Sequence, residues 1–200
     1  MRSVHVVVHS SIDVKKWVKS PPSVDGCRPV RCPSCGAASR PVGQSLGLWG
    51  HGVRRRQLRG PRDAEGEPTI AIVEARRFLC RRCRATMTVL PRGAIASRHF
   101  SAGAIALACA LYGLCGVCLS DTRRRVSPWR SDEAGWPALG RWLRRIEQGR
   151  LFRGVRPWPR GASWRTRAER VAATAMALAR EDASSIEART FAGASWAALA

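Results

Sequence analysis

Cys32-Pro33-Ser34-Cys35-Gly36 and Cys80-Arg81-Arg82-Cys83 are two C-x-x-C pairs, with 44 residues between the second cysteine and the third. Two residues between cysteines let both sulfurs of one turn face a single ion, and zinc favours four thiolates in a tetrahedron. Pro33 and Gly36 suit a tight turn, because Gly adopts positive φ without steric cost. The spacing predicts a metal site of Cys32, Cys35, Cys80 and Cys83 holding Zn2+ at the tips of two hairpins, a zinc ribbon. The gap is wider than the roughly 15–20 residues of compact sites. Buried structural thiols are the alternative, but the turn chemistry and the adjoining arginines favour the metal. A redox pair would need a βαβ setting, and the flanking pattern does not supply one.

Outward from the cysteines, the ribbon spans residues 28–98. Val53-Arg54-Arg55-Arg56-Gln57-Leu58-Arg59 reads as a basic strand, and residues 60–68 as a turn-rich loop. Thr69 to Leu79 alternates as a strand delivering Cys80, and Thr86 to Leu90 forms the next strand, ended by Pro91. A small antiparallel sheet results, with too little core to fold without its metal. Residues 1–27 are an N-terminal extension, with a β-like run at Val4–Val8 and a strand or short helix at Ile12–Val18, closed by Pro21-Pro22.

Ser101 is placed to cap a helix through Tyr112, with Gly113 as its stop. The 18 residues from Ala102 to Leu119 carry no charge. They are weakly hydrophobic and interrupted by glycine, so a buried helix and turn is expected rather than a membrane span. Cys109, Cys115 and Cys118 read as buried apolar residues. Leu119–Val126 reads as a second helix, and Pro137 suits the first turn of a third. In that helix Leu139, Trp142, Leu143 and Ile146 form an apolar stripe, while Arg141, Arg144, Arg145 and Gln148 repeat the same spacing on another face. Gly149 is its expected end. These helices make a region over residues 99–149; residues 150–200 follow as a linker and a helix capped by Ser163 and running to about Glu181. The fold class is α+β: a small antiparallel zinc ribbon followed by an α-helical, helix-turn-helix-like region.

Net charge is +21, and all but three of the 35 basic residues are arginine. Arginine forks onto phosphate and guanine edges, so the excess points to nucleic acid first and to an acidic membrane surface second. Double-stranded DNA is the expected partner, with RNA or protein as the alternative. Arg54, Arg55, Arg56, Arg76 and Arg77 beside the knuckles are the expected phosphate contacts. Arg141, Arg144 and Arg145 are the expected contacts of a recognition helix. The start of the chain has too short an apolar run for a signal peptide. The expected compartment is therefore the cytoplasm, at the nucleoid, with no membrane partner, and a reducing setting suits thiolate ligands.

The segments C-P-S-C-G, V-R-R-R-Q-L-R, A-R-R-F-L-C-R-R-C, P-R-G and S-R-H-F-S together resemble the N-terminal zinc ribbon of bacterial insertion-sequence transposases and related small actinobacterial proteins. The resemblance covers roughly residues 28–148. It implies a helix-turn-helix after the ribbon and binding to the terminal repeats of a mobile element. The family's RNase H-like domain, with three carboxylates on divalent metal, has no counterpart here. After the ribbon only Asp121, Asp132, Glu133, Glu147, Glu169, Glu181, Asp182 and Glu187 are acidic, and none lies in a strand pattern that would set a two-metal site. No phosphate-binding glycine loop or nucleophile elbow occurs. A non-enzymatic, transposase-like DNA-binding protein is expected, acting as a transposition accessory, a regulator or a remnant.

Overall fold

The computed structural model describes residues 4–96, 98–129, 136–180 and 183–198. Ser97, Asp132, Glu133, Glu181 and Asp182 lie outside them. The described residues fall into two units, the first within Met1–Gln57 and Ile72–Arg92, the second within Leu58–Ala71 and Gly93–Ala200. Sheet and helices together give the mixed α and β content expected.

In the first unit, β1 (His5–Asp13), β2 (Leu48–Gly60), β3 (Thr69–Cys80) and β4 (Thr86–Arg92) form a four-stranded sheet in the order β1-β4-β3-β2. The outermost residues of β2 and β3 belong to the second unit. β3 and β4 pair antiparallel, from Arg76 opposite Val89 to Leu79 opposite Thr86. β1 departs from the expected antiparallel sheet: it runs parallel to β4, from His5 opposite Thr86 to His9 opposite Leu90. A parallel neighbour requires a long crossover, and residues 14–85 provide it. With strands on both sides, β4 is buried from Met87 to Pro91, as a mostly apolar central strand should be, and its one polar residue there, Thr88, has a partner in His5 at 2.9 Å.

Residues 14–19 settle as helix rather than strand. Asp13 Oδ1 accepts the Lys15 N–H at 2.8 Å and so caps α1 (Val14–Lys19). The helix buries only Trp17, whose Nε1–H donates to Glu74 O on β3 at 3.0 Å. One indole thus fixes the helix to the sheet through both area and a satisfied polar atom.

The second unit is built around α2 (Ala102–Cys109), buried along its whole length and capped by Ser101 Oγ, which accepts the Ala104 N–H at 3.0 Å. Gly113 does not stop the helix, which continues as a π-helical turn, Ala110–Leu114. The reason for glycine there is close packing: a Cβ would run into the backbone of Ala168 and Glu169 on α5 (Trp164–Ala177). Gly193 on α6 (Ile186–Ala197) meets the Ala175 backbone in the same manner. α5 starts at the Ser163 cap as expected (Thr166 N–H to Ser163 Oγ, 3.1 Å) and ends at Ala177.

Residues 115–118, with Gly116 at φ 72°, join the π-turn to α3 (Leu119–Val126); ten residues, 127–136, lie between α3 and α4 (Pro137–Glu147). Helix-turn-helix junctions use about three or four. α4 buries Leu139, Trp142, Leu143 and Ile146, the stripe expected of it. Trp142 sits edge-on to Phe100 at 5.0 Å and to Trp136 at 5.1 Å. Leu151 and Phe152 just after α4 are buried in the same core.

No helix among the described residues is long and apolar enough to cross a membrane. Cys109 is buried as expected, but Cys115 and Cys118 are exposed. They occupy the turn where the chain leaves the core: Cys118 Sγ lies 3.2 Å from Asp121 Oδ2, and Cys115 Sγ lies 3.7 Å from Glu187 Oε1. Gly113→Ala should destabilise the protein by about 1–3 kcal/mol, the usual cost of overpacking. A urea midpoint equal to wild type would show that α5 moves away without penalty.

Candidate metal centre

Each cysteine pair is folded by the same backbone device. In the first, the Cys32 N–H donates to Ala37 O and the Gly36 N–H to Cys32 O, both at 2.9 Å. In the second, the Cys80 N–H donates to Ala85 O and the Arg84 N–H to Cys80 O, again at 2.9 Å. The residue after the second cysteine is left-handed in both, Gly36 at φ 71° and Arg84 at φ 60°. Arg84 therefore occupies a glycine position, which the sequence does not advertise. The turns also aim amides at sulfur: those of Ser34 and Cys35 at Cys32, that of Ala37 at Cys35, and that of Ala85 at Cys83.

The Sγ atoms of Cys32, Cys35, Cys80 and Cys83 all lie within 4.8 Å of one another. Cys32 to Cys83 and Cys35 to Cys80 are each 3.7 Å apart. A disulfide would require about 2.05 Å. A tetrahedron with metal–sulfur bonds of ~2.3 Å has sulfur–sulfur edges of ~3.8 Å, so the four thiols are spaced to hold one ion. An ion held by all four would have no coordination position left for substrate, as in structural sites. Cys32 and Cys80 are buried and Cys35 and Cys83 half-buried. Burial pushes the Cys32 thiol up to about 12, whereas the Ala85 amide draws Cys83 down to about 7.

Residues that the cysteine pattern does not reveal support the site. Gly47 links the two knuckles: its N–H donates to Ser39 O at 2.9 Å, and its carbonyl accepts the Arg81 N–H at 2.9 Å. A Cβ at Gly47 would collide with Ala38 O. Arg28 is buried, paired with Asp25 at 2.7 Å, bonded to Leu48 O and lying 5.4 Å over the Phe78 ring. The hydrogen bond from Arg28, with Arg40 nearby, holds the Asp25 carboxyl below its ordinary range. Arg81 donates to Ser45 Oγ and stacks 4.6 Å over Trp49.

The arginines singled out from the sequence separate by unit. On β2, Arg54 is exposed, Arg55 pairs with Glu74 at 3.1 Å, and Arg56 is half-buried. Burial holds Arg56 below its ordinary range, and Arg54 adds repulsion. On β3, Arg76 and Arg77 are half-buried, and Arg76 Nη2 donates to Pro22 O at 3.1 Å. In the second unit, Arg141, Arg144 and Arg145 are all exposed on α4. They line one basin with Gln148 and Arg150. Arg150, beyond the expected end of the helix, was not evident from periodicity.

No protein-family model, curated protein or solved structure matches the chain.

Elemental analysis should return one bound metal ion per chain, and Cys32→Ser with Cys83→Ser should abolish it; full retention in that double variant would reject the site. Gly36→Ala should cost about 1–2 kcal/mol from backbone conformation alone, because nothing lies within 4 Å of the added Cβ. Arg84→Gly should leave stability equal or raise it by up to about 1 kcal/mol. Chemical denaturation of the metal-loaded protein checks both; a destabilising Arg84→Gly would mean that the arginine side chain outweighs its strained backbone.

Proposed function

We propose that the chain binds double-stranded DNA, using a first unit held by zinc as a zinc ribbon and a second, helical unit that presents arginines. The observation that carries this reading is α4, where Leu139, Trp142, Leu143 and Ile146 are buried while Arg141, Arg144 and Arg145 are exposed. A helix so anchored offers guanidinium groups on a rigid support, as a helix lying in a major groove requires. The net charge of +21 supplies the sequence-independent attraction to phosphate. Zinc suits four thiolates better than oxygen-seeking cations do. Arg54, Arg55, Arg56, Arg76 and Arg77 would add phosphate contacts beside the knuckles.

The role is transposase-like without a catalytic step: a transposition accessory, a regulator or a remnant of such an element. Localisation at the nucleoid would follow from the partner.

Selection of bound fragments from random duplex DNA tests the reading. Arg144→Gln or Arg145→Gln should relax preference at one or two positions, since a base-contacting arginine is worth about 1–3 kcal/mol of discrimination. Neutralising Arg54, Arg55 and Arg77 should instead make the salt dependence shallower by roughly 0.9 for each phosphate left without its arginine, and should not alter preference. If an RNA competitor displaces the selected duplex as well as DNA does, the ribbon is an RNA-docking or protein-docking module instead.

A further inference from the structure

Arg141, Arg144, Arg145 and Gln148 follow one another at the spacing that stacks side chains on one helical face. α4 then ends in a turn with Gly149 at φ 63°. The Gly149 N–H donates to Ile146 O and the Arg150 N–H to Arg145 O, both at 2.9 Å. That pair of bonds is a Schellman closure, which turns the chain back and brings Arg150 to the row. The five side chains line an open basin of about 320 Å³.

None of the lining residues is acidic. Glu147, the one carboxylate on α4, is engaged elsewhere: it accepts from Trp158 Nε1 at 3.0 Å and from Arg167 Nη1 at 3.5 Å. Arg144 lies 5.8 Å over the Trp164 ring. Burial, and then repulsion from Arg145, hold Arg98 below its ordinary range. Four guanidinium groups thus share one concavity, and the negative end of the helix dipole offsets only part of their repulsion. Each is a planar fork matched to phosphate oxygens. An internal phosphodiester brings one charge, and successive phosphates are strung along a strand rather than gathered at one point.

We propose that this basin is a binding site for a phosphoryl anion of two or more negative charges, either a free pyrophosphate-like group or the terminal phosphate of a DNA strand. The strand-end source rests on the DNA reading above; the free-anion source does not.

Calorimetric titration of the full chain with pyrophosphate at fixed ionic strength tests the site. Binding of one anion per chain is expected. Arg141→Gln with Arg145→Gln should weaken it at least about tenfold, as removal of two charge-assisted hydrogen bonds implies. Arg153→Gln with Arg156→Gln removes the same charge from exposed positions outside the basin and should leave affinity nearly unchanged. Equal losses in the two pairs, or none in the first, would overturn the proposal. Arg150→Gln lies beyond the helix and gives the same reading if the α4 pair does not fold. A second arm compares one duplex with 5′-phosphate and with 5′-hydroxyl ends. A preference for the phosphorylated ends that the basin variants lose identifies the strand end. Pyrophosphate binding without that preference identifies the free anion and leaves the duplex reading to be judged by its own selection.

Discussion

Four sulfurs within 4.8 Å of one another join two chain segments that are distant in sequence, and a metal ion among them would close the first unit. Joining Cys35 to Cys80 closes a loop whose entropy cost grows only logarithmically, about 3 kcal/mol for its length. Structural zinc in small modules contributes about 10–16 kcal/mol, so an ion bound here would outweigh the loop several times over. The closure also explains why long strands are tolerated between the knuckles. Lengthening β2 and β3 adds little to the entropy of closure, while each added pair of residues adds ladder bonds. Without an ion the same four thiols would be a cluster of polar, partly buried groups with only weak mutual hydrogen bonds.

Charge is arranged as deliberately as the metal ligands. With few carboxylates in the chain, those near the arginines are spent on specific tasks: Asp25 on Arg28 and Arg40, Glu74 on Arg55, Glu147 on Arg167. The exposed pairs among them, Arg40–Asp25 and Arg55–Glu74, add little stability. Their effect is to fix where individual guanidinium groups sit. The Pro22 carbonyl does the same for Arg76, while Arg54 lies exposed on its strand.

Features encoded by a few adjacent residues were legible in the sequence. The knuckles, the Ser101 and Ser163 caps, the Gly149 stop and the two faces of α4 each follow from local chemistry, and each occurs where that chemistry places it. What was not legible depends on partners far along the chain. A run of valines at residues 4–8 announces a strand but not its direction, because direction is set by how the connection through residues 14–85 brings the chain back beside it. Gly113 carries the composition of a helix stop, yet its role comes from the α5 backbone opposite it. Cys115 and Cys118 look apolar by residue type and become exposed because the π-turn ends the buried run before them. Arg84 gives no sign of left-handed backbone, since only its equivalence to Gly36 reveals it.

That equivalence bears on how the metal site is specified. The two knuckles share hydrogen bonds and handedness, but only one carries the residue that makes the turn inexpensive. A left-handed non-glycine residue costs roughly 1–2 kcal/mol, small beside the binding energy of a structural ion. The first knuckle is thus preorganised by Pro33 and Gly36, whereas the second takes its shape between β3 and β4, where a bound ion would add to the constraint. The two halves of the site are therefore specified differently, one by its own turn residues and one by its setting. In such a site the Cys32–Cys35 turn holds its shape by its own residues, whereas the Cys80–Cys83 turn leans on the strands behind it.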